Sequence, residues 1–318
     1  MSFPKYVKIR EVGPREGMQI EETHVATENK IRIIDLLSEC NIPIIEVTSF
    51  VSPKWVPKMA DAEQVAAGFK KFPNIKYECL YLNAKGIERA QATGKFDLDG
   101  VLSITASETF SKKNTNLSIE ETFNEMEKRI QTLNDYNVPI TTLAVMTAFG
   151  CTYEGDKNPK QVVNLISRSF EKTNEFGIQP SNILLGDTVG WANPVTTEKL
   201  VALLQDKWPD KNIVMHLHDT RGMGIANAYV ALKMGITQFD SSVGGLGGCP
   251  FSGAKGAAGN IATEDLVHMC HELGISTGID LDKLIDVTRE IEHILGRDLS
   301  SKVAKGGTLD SYRQRATS

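Results

Sequence analysis

At 318 residues, with 41% hydrophobic and 24% charged side chains, the chain has the composition of a soluble globular protein and can bury a large core. A formal net charge of -5 excludes the broad basic field that nucleic-acid binding needs, and no apolar run reaches membrane-spanning length. Five cysteines (Cys40, Cys79, Cys151, Cys249, Cys270), odd in number and not closely paired, suit reduced thiols. With an amino end lacking signal- or transit-peptide character, they predict a cytoplasmic protein.

Short β-branched runs alternate with longer amphipathic segments, the pattern of repeated βα units. Eight strands are predicted: Val7–Val12, Ile42–Thr48, Ile75–Leu80, Gly100–Ile104, Thr141–Met146, Ile183–Leu185, Ile213–Leu217 and Gln238–Ser242. The intervening helices are predicted at Glu28–Glu39, Ala60–Lys70, Lys85–Gln91, Ser118–Asn137, Pro159–Phe176, Pro194–Trp208 and Gly224–Met234. Ser118 with Glu121 reads as a capping box, and Asn193-Pro194 as a cap followed by proline in the first turn. Two further helices, Thr263–Glu272 and Asp280–Leu295, follow a glycine-rich stretch.

This pattern fits an open doubly wound sheet or a closed (β/α)₈ TIM barrel. Chemically interesting residues follow seven of the eight strands, as in a barrel, whereas an open sheet would gather them at one switch point. The expectation is one catalytic domain over 1–318, with the barrel at about 5–243 and a lid loop and carboxyl-terminal helical cap over its mouth at about 244–318.

His216-Leu217-His218 ends the seventh strand, and alternation in a strand sends both imidazoles to one side, at a spacing suited to one metal ion. A pair of structural histidines is the plainer alternative. The first strand runs into Arg15-Glu16-Gly17-Met18-Gln19, where Glu16 offers a hard oxygen ligand and Arg15 a cation for a developing enolate. A solvated turn with an Arg-Glu pair would explain the same residues. Imidazoles with carboxylate and amide oxygens describe an open Mg²⁺ or Mn²⁺ site better than a closed thiolate zinc site. The stretch Gly244 to Asn260 reads as a mobile lid carrying Cys249, a candidate for proton transfer, and ending on Asn260, a further amide ligand. A flexible linker is its alternative.

Eight segments together resemble the 3-hydroxy-3-methylglutaryl-CoA lyase family, in order and nearly end to end. They are Val12-Gly-Pro-Arg-Glu-Gly-Met-Gln19, Ile45-Glu-Val-Thr-Ser-Phe-Val-Ser-Pro-Lys-Trp-Val-Pro-Lys-Met-Ala-Asp61, Ser107-Glu-Thr-Phe-Ser-Lys-Lys-Asn114, Gly150-Cys-Thr-Tyr-Glu154, Leu185-Gly-Asp-Thr-Val-Gly190, His216-Leu-His-Asp-Thr220, Gly244-Gly-Leu-Gly-Gly-Cys-Pro250 and Gly259-Asn-Ile-Ala-Thr-Glu-Asp265. The resemblance implies a TIM-barrel carbon–carbon lyase of leucine degradation and ketone-body metabolism, a homodimer that splits its acyl-CoA substrate into acetyl-CoA and acetoacetate. It implies a cation held by Glu16, His216, His218 and Asn260, with Arg15, Cys249, Glu46, Asp187 and His216 in the chemistry. Gln19, Ser49, Lys112, Lys113, Asn114 and Thr188 fall at the substrate and CoA.

Three features depart from the lyase pattern: Glu16 replaces an aspartate, Ile20-Glu21-Glu22 replaces Asn-Glu-Lys, and two extra residues lie between Cys249 and Asn260. They admit a related substrate, citramalyl-CoA or a longer branched 3-hydroxyglutaryl-CoA. A synthase condensing acetyl-CoA with a 2-oxo acid is a third reading, and a non-catalytic scaffold the reading from another class.

Overall fold

The computed structural model describes residues 3–248, 257–310 and 312–313. Eight parallel strands form one curled sheet: β1 (Lys8–Glu11), β2 (Ile44–Ser49), β3 (Lys76–Leu80), β4 (Gly100–Thr105), β5 (Ile140–Met146), β6 (Asn182–Asp187), β7 (Asn212–Leu217) and β8 (Gln238–Ser241). Their order is β3-β2-β1-β8-β7-β6-β5-β4, a barrel whose two end strands, β3 and β4, share no backbone pairing among the described residues. At that seam a cavity of about 490 Å³ enters the barrel interior, lined by Arg10, Glu46, Glu78, Tyr81, Val101 and Asp240 among others.

Helices cover the outside: α1 (Thr27–Glu39), α2 (Ala62–Gly68), α3 (Ala84–Thr93), α4 (Glu108–Thr115), α5 (Ile119–Asp135), α6 (Pro159–Asn174), α7 (Pro194–Lys207), α8 (Gly224–Lys233), α9 (Thr263–Glu272), α10 (Leu281–Leu295) and α11 (Lys302–Gly306). The apolar core lies between this shell and the sheet, through residues such as Ile33, Leu37, Ile130, Leu204 and Leu232. Both expected caps are present. Ser118 accepts from Glu121 N–H while the Glu121 side chain returns to Ser118, and Asn193 accepts from Val195 and Thr196. Such a cap is worth about 1 kcal/mol.

Among the elements that were not predicted are helix α4 and a short hairpin. Helix α4 buries only Phe110 and Ser111, too few to show a 3.6-residue period, and is set by its ends: Ser107 accepts from Phe110 N–H, and Asn116 closes it in the left-handed region. A two-residue hairpin pairs Gly150–Cys151 with Gly155–Asp156 and stands beside α4. Cys151 is buried, and its thiol meets Ser107 Oγ at 3.1 Å.

The carboxyl-terminal helices meet the rim at several points: Thr263 donates Oγ1–H to Glu11, Gly244 donates N–H to Glu264, and Arg297 pairs with Glu21. Helix α10 runs along α1, and beyond it Ser300 and Ser301 donate backbone N–H groups to Gly244 O. Gly244 has φ of +64°, and a Cβ there would stand 2.4 Å from Leu299 Cδ1. The root of the predicted lid is therefore fixed on both sides of the described backbone: Gly248 bridges Ala258, and His218 bridges Asn260. Cys249 and the extra lid residues lie outside the described residues.

Candidate metal centre

The strand ends at the carboxyl-terminal rim supply the site. A π-helical turn, Gly13–Gly17, follows β1 directly. It requires glycine at its start, since a Cβ on Gly13 would lie 2.6 Å from Glu11 Oε1. The turn presents Arg15 and Glu16, while β7 presents His216 and His218 from one face, as strand alternation dictates.

These groups converge. Ligand atoms of Glu16, His216 and His218 all lie within 4.8 Å of one another. The two Nε2 atoms are 3.3 Å apart, and Glu16 Oε1 is 3.5 Å from that of His216 and 3.7 Å from that of His218. Asn260 brings its carboxamide to the same place, donating Nδ2–H to Glu16 Oε1 at 3.0 Å. Asn260 Oδ1 is buried with no hydrogen-bond partner. Two imidazole nitrogens, one carboxylate and an orphaned amide oxygen form a donor set suited to a divalent metal cation.

The charges agree. Burial would raise the Glu16 carboxyl, but His216 and Arg15 outweigh it and hold the group well below its usual range. Burial would lower the His216 imidazole, yet Glu16 and then Asp240 push it up to about 10. His218 is lowered, chiefly by burial. Without metal, a proton on His216 supplies positive charge where these groups face Glu16.

Arg15 donates Nε–H to Glu46 Oε2 at 2.5 Å and Nη2–H to Glu16 Oε2 at 3.1 Å, which joins Arg15, Glu16 and the buried Glu46 in one cluster. Asp187 is fully buried, and burial raises its carboxyl to about 6 against the N–H groups of Trp191 and Ala192, which it accepts at 2.7 and 3.1 Å. Its oxygens thus hold the loop after β6. Thr188 Oγ1 accepts from Thr147 N–H, and Ser49 Oγ from Val51 N–H. Gln19 lies in the short helix Met18–Ile20 after the turn, with Oε1 buried and unpartnered.

Lys112, Lys113 and Asn114 do not join the cluster. They are exposed on α4, on the rim side, with Lys112 paired to Glu108 and Lys113 Nζ 4.7 Å from the Tyr153 ring centre. Between the altered Ile20 and Glu22, the Glu21 that the pattern shares is buried, paired with Arg297 and accepting from Gly247 N–H at 3.4 Å, so it braces the lid root.

Sequence reasoning missed Arg10, Glu78 and Asp240, which lie below Glu46 and His216. The signal was present: Arg10, Glu78 and Asp240 each follow a buried apolar or aromatic neighbour (Ile9, Tyr77, Phe239) that faces the helices, so alternation points the charges into the barrel.

A family model described as HMGL-like matches residues 6–291. Over 304 residues the chain is 44% identical to mitochondrial hydroxymethylglutaryl-CoA lyase of Mus musculus, covering 96% of this chain and 90% of the relative. It is 42% identical to cytoplasmic 3-hydroxy-3-methylglutaryl-CoA lyase of Danio rerio over 303 residues, or 95% and 87% of the two chains. The HMG-CoA lyase structure from Bacillus subtilis superposes with a TM-score of 0.87 at 41% identity, covering 96% of this chain and 99% of the other. An HMG-CoA lyase from Acinetobacter baumannii, solved with coenzyme A and 3-methylmalate, gives 0.84 at 38% identity and 97% of each chain.

Proposed function

From the premise that this chain belongs to the HMGL-like family and is a carbon–carbon lyase, we propose that it cleaves 3-hydroxy-3-methylglutaryl-CoA to acetyl-CoA and acetoacetate by a retro-Claisen reaction dependent on a divalent cation. The observation that carries this reading is the convergence of Glu16, His216, His218 and Asn260 beside Arg15 on the barrel rim.

In that reaction the tertiary hydroxyl loses its proton, the C2–C3 bond breaks, and the electron pair becomes the enolate of acetyl-CoA, which is then protonated on carbon. Glu16, His216, His218 and Asn260 would hold the cation, which supplies a Lewis acid for the substrate's oxygens. Glu46 fixes the Arg15 guanidinium through Nε, so that its planar fork meets the enolate oxygen already oriented. Glu16, His216 and Asp187 are the candidates to take the hydroxyl proton, and Asp187, raised to about 6, is the one poised nearest neutrality. Cys249 is assigned the return of a proton to the enolate carbon. Gln19, Ser49 and Thr188 are assigned to the acyl group, and Lys112, Lys113 and Asn114 to the polyanionic CoA.

A second reading, cleavage of a related 3-hydroxyacyl-CoA such as citramalyl-CoA, draws on the two extra residues of the lid and on the A. baumannii relative solved with 3-methylmalate. Acetyl-CoA release from each thioester, with metal stripped and restored, separates the two. Turnover of the first substrate that returns with Mg²⁺ or Mn²⁺ upholds the main reading, and turnover of the second alone moves the substrate.

No helix among the described residues is long and apolar enough to cross a membrane. We assign the protein to the cytoplasm, supported by four described cysteines that are all free and buried. Homodimeric assembly is the state the resemblance implies, to be measured by light scattering, and leucine degradation and ketone-body metabolism are the pathways it implies.

A further inference from the structure

Strand register builds a charged layer directly beneath the metal centre. Arg10 on β1 stands opposite Asp240 on β8, and Asp240 stands opposite His216 on β7. Residues opposite each other in neighbouring strands point to the same face. Across the other side of β1, Glu46 on β2 is the register partner of Glu78 on β3.

The side chains close this layer into a chain of contacts. His216 Nδ1 meets Asp240 Oδ2 at 3.1 Å, and the same oxygen is 3.5 Å from Arg10 Nη1. Arg10 donates Nη2–H to Glu46 Oε1 at 2.9 Å and Nε–H to Glu78 Oε2 at 2.7 Å. Glu46 uses its other oxygen on Arg15. Each end of the chain is thus a residue of the metal centre, and its middle is Arg10 and Asp240. With Glu16 included, two guanidiniums face four carboxylates, a formal deficit of two positive charges that one divalent cation makes good.

Asp240 is the informative member. It is 1% exposed, yet Oδ1 has no hydrogen-bond partner, while Oδ2 serves both His216 and Arg10. A carboxylate placed for its own solvation would satisfy both oxygens. This one is placed for the imidazole. A carboxylate on Nδ1–H fixes ring orientation and leaves Nε2 as the atom that faces Glu16 and His218.

We propose that Asp240 and Arg10 are positioning residues of the metal centre: Asp240 holds His216 with Nδ1 protonated and Nε2 turned to the cation, and Arg10 locks Asp240 to the Glu46 that aims Arg15. The inference rests on reading Glu16, His216 and His218 as a metal site.

The test uses the full chain without and with metal. In the metal-free protein, the His216 Nδ1 proton gives a downfield, slowly exchanging NMR resonance, which Asp240→Ala abolishes and Asp240→Asn, still able to accept through its amide oxygen, retains at least in part. Calorimetric titration with Mn²⁺ shows affinity lowered about 10–100-fold by Asp240→Ala, with a smaller loss for Asp240→Asn and for Arg10→Met. Thermal melts and far-UV circular dichroism establish that each variant folds, and the isosteric Asp240→Asn decides the matter if the alanine variant does not. An unchanged resonance and unchanged Mn²⁺ affinity in folded Asp240 variants would overturn the proposal. Failure of the wild type to bind Mn²⁺ would instead sink the metal reading, while the proton resonance, measured without metal, still decides the Asp240–His216 contact.

Discussion

The two sides of the barrel solve different problems. From β2 through β1, β8 and β7 to β6, each strand is paired with its neighbours, and this wall carries Arg15, Glu16, Glu46, His216 and His218 on strands or on the turn that leaves them. Opposite it, β3 and β4 part, Val101 inside the barrel is 39% exposed, and Leu82 just beyond β3 is 60% exposed. A backbone ladder fixes both strand position and register, so groups that must meet within about half an ångström belong on the paired wall. The seam carries none of those ligands.

The largest effect expected from breaking the paired wall is loss of the donor set. His216→Ala combined with His218→Ala should abolish Mn²⁺ binding by calorimetry and cut acetyl-CoA release on the order of 10³-fold or more, and chelator treatment of the wild type should mimic it reversibly. Arg15→Gln should lower kcat on the order of 10²–10³-fold while the Mn²⁺ titration stays close to wild type, because the guanidinium serves charge that develops during reaction.

A smaller effect concerns the carboxylates that tie the lid root to the wall. Burial pushes Glu11 up to about 7, against its bonds from Thr263, Val243 and Gly13, and Glu264 up to about 8, against its bonds from Thr288 and Gly244. Both folded values exceed the 4.5 ordinary for a glutamate carboxyl, so the folded chain holds more protons than the unfolded chain between about 4.5 and 8. Their favourable contribution is complete below that window and is lost as pH rises through it. Denaturation followed from pH 5 to 9 should show this slope, and Glu11→Gln with Glu264→Gln should flatten it. An unaltered slope would place the titration elsewhere. The smallest effect belongs to the seam: Leu82→Ser and Val101→Thr should change unfolding free energy by no more than about 0.5 kcal/mol. A loss of several kcal/mol at either position would mean that the seam is closed in solution.

The barrel was legible in the sequence strand by strand, and with it the local part of the metal cluster's geometry. His216 and His218 were readable because strand alternation is a local rule, and Glu16 and Arg15 because apolar alternation ends abruptly before them. Helix caps at Ser118 and Asn193 were equally local. The role of Asp187 in holding the loop after β6 was not readable, since backbone donors leave no trace in residue type.

By itself, then, the chain determined the order of eight strands and their helices, the residue types at the strand ends, and the family to which those residues point. Tertiary structure alone decided that β3 and β4 stay unpaired, that Glu46 holds Arg15, that Asp240 stands behind His216 across 24 residues of chain, and that Arg10 meets Asp240 across 230. The physical reason is range. Periodicity and capping act over one or two turns, whereas register between strands is fixed by how the whole sheet curls and by what its helices bury.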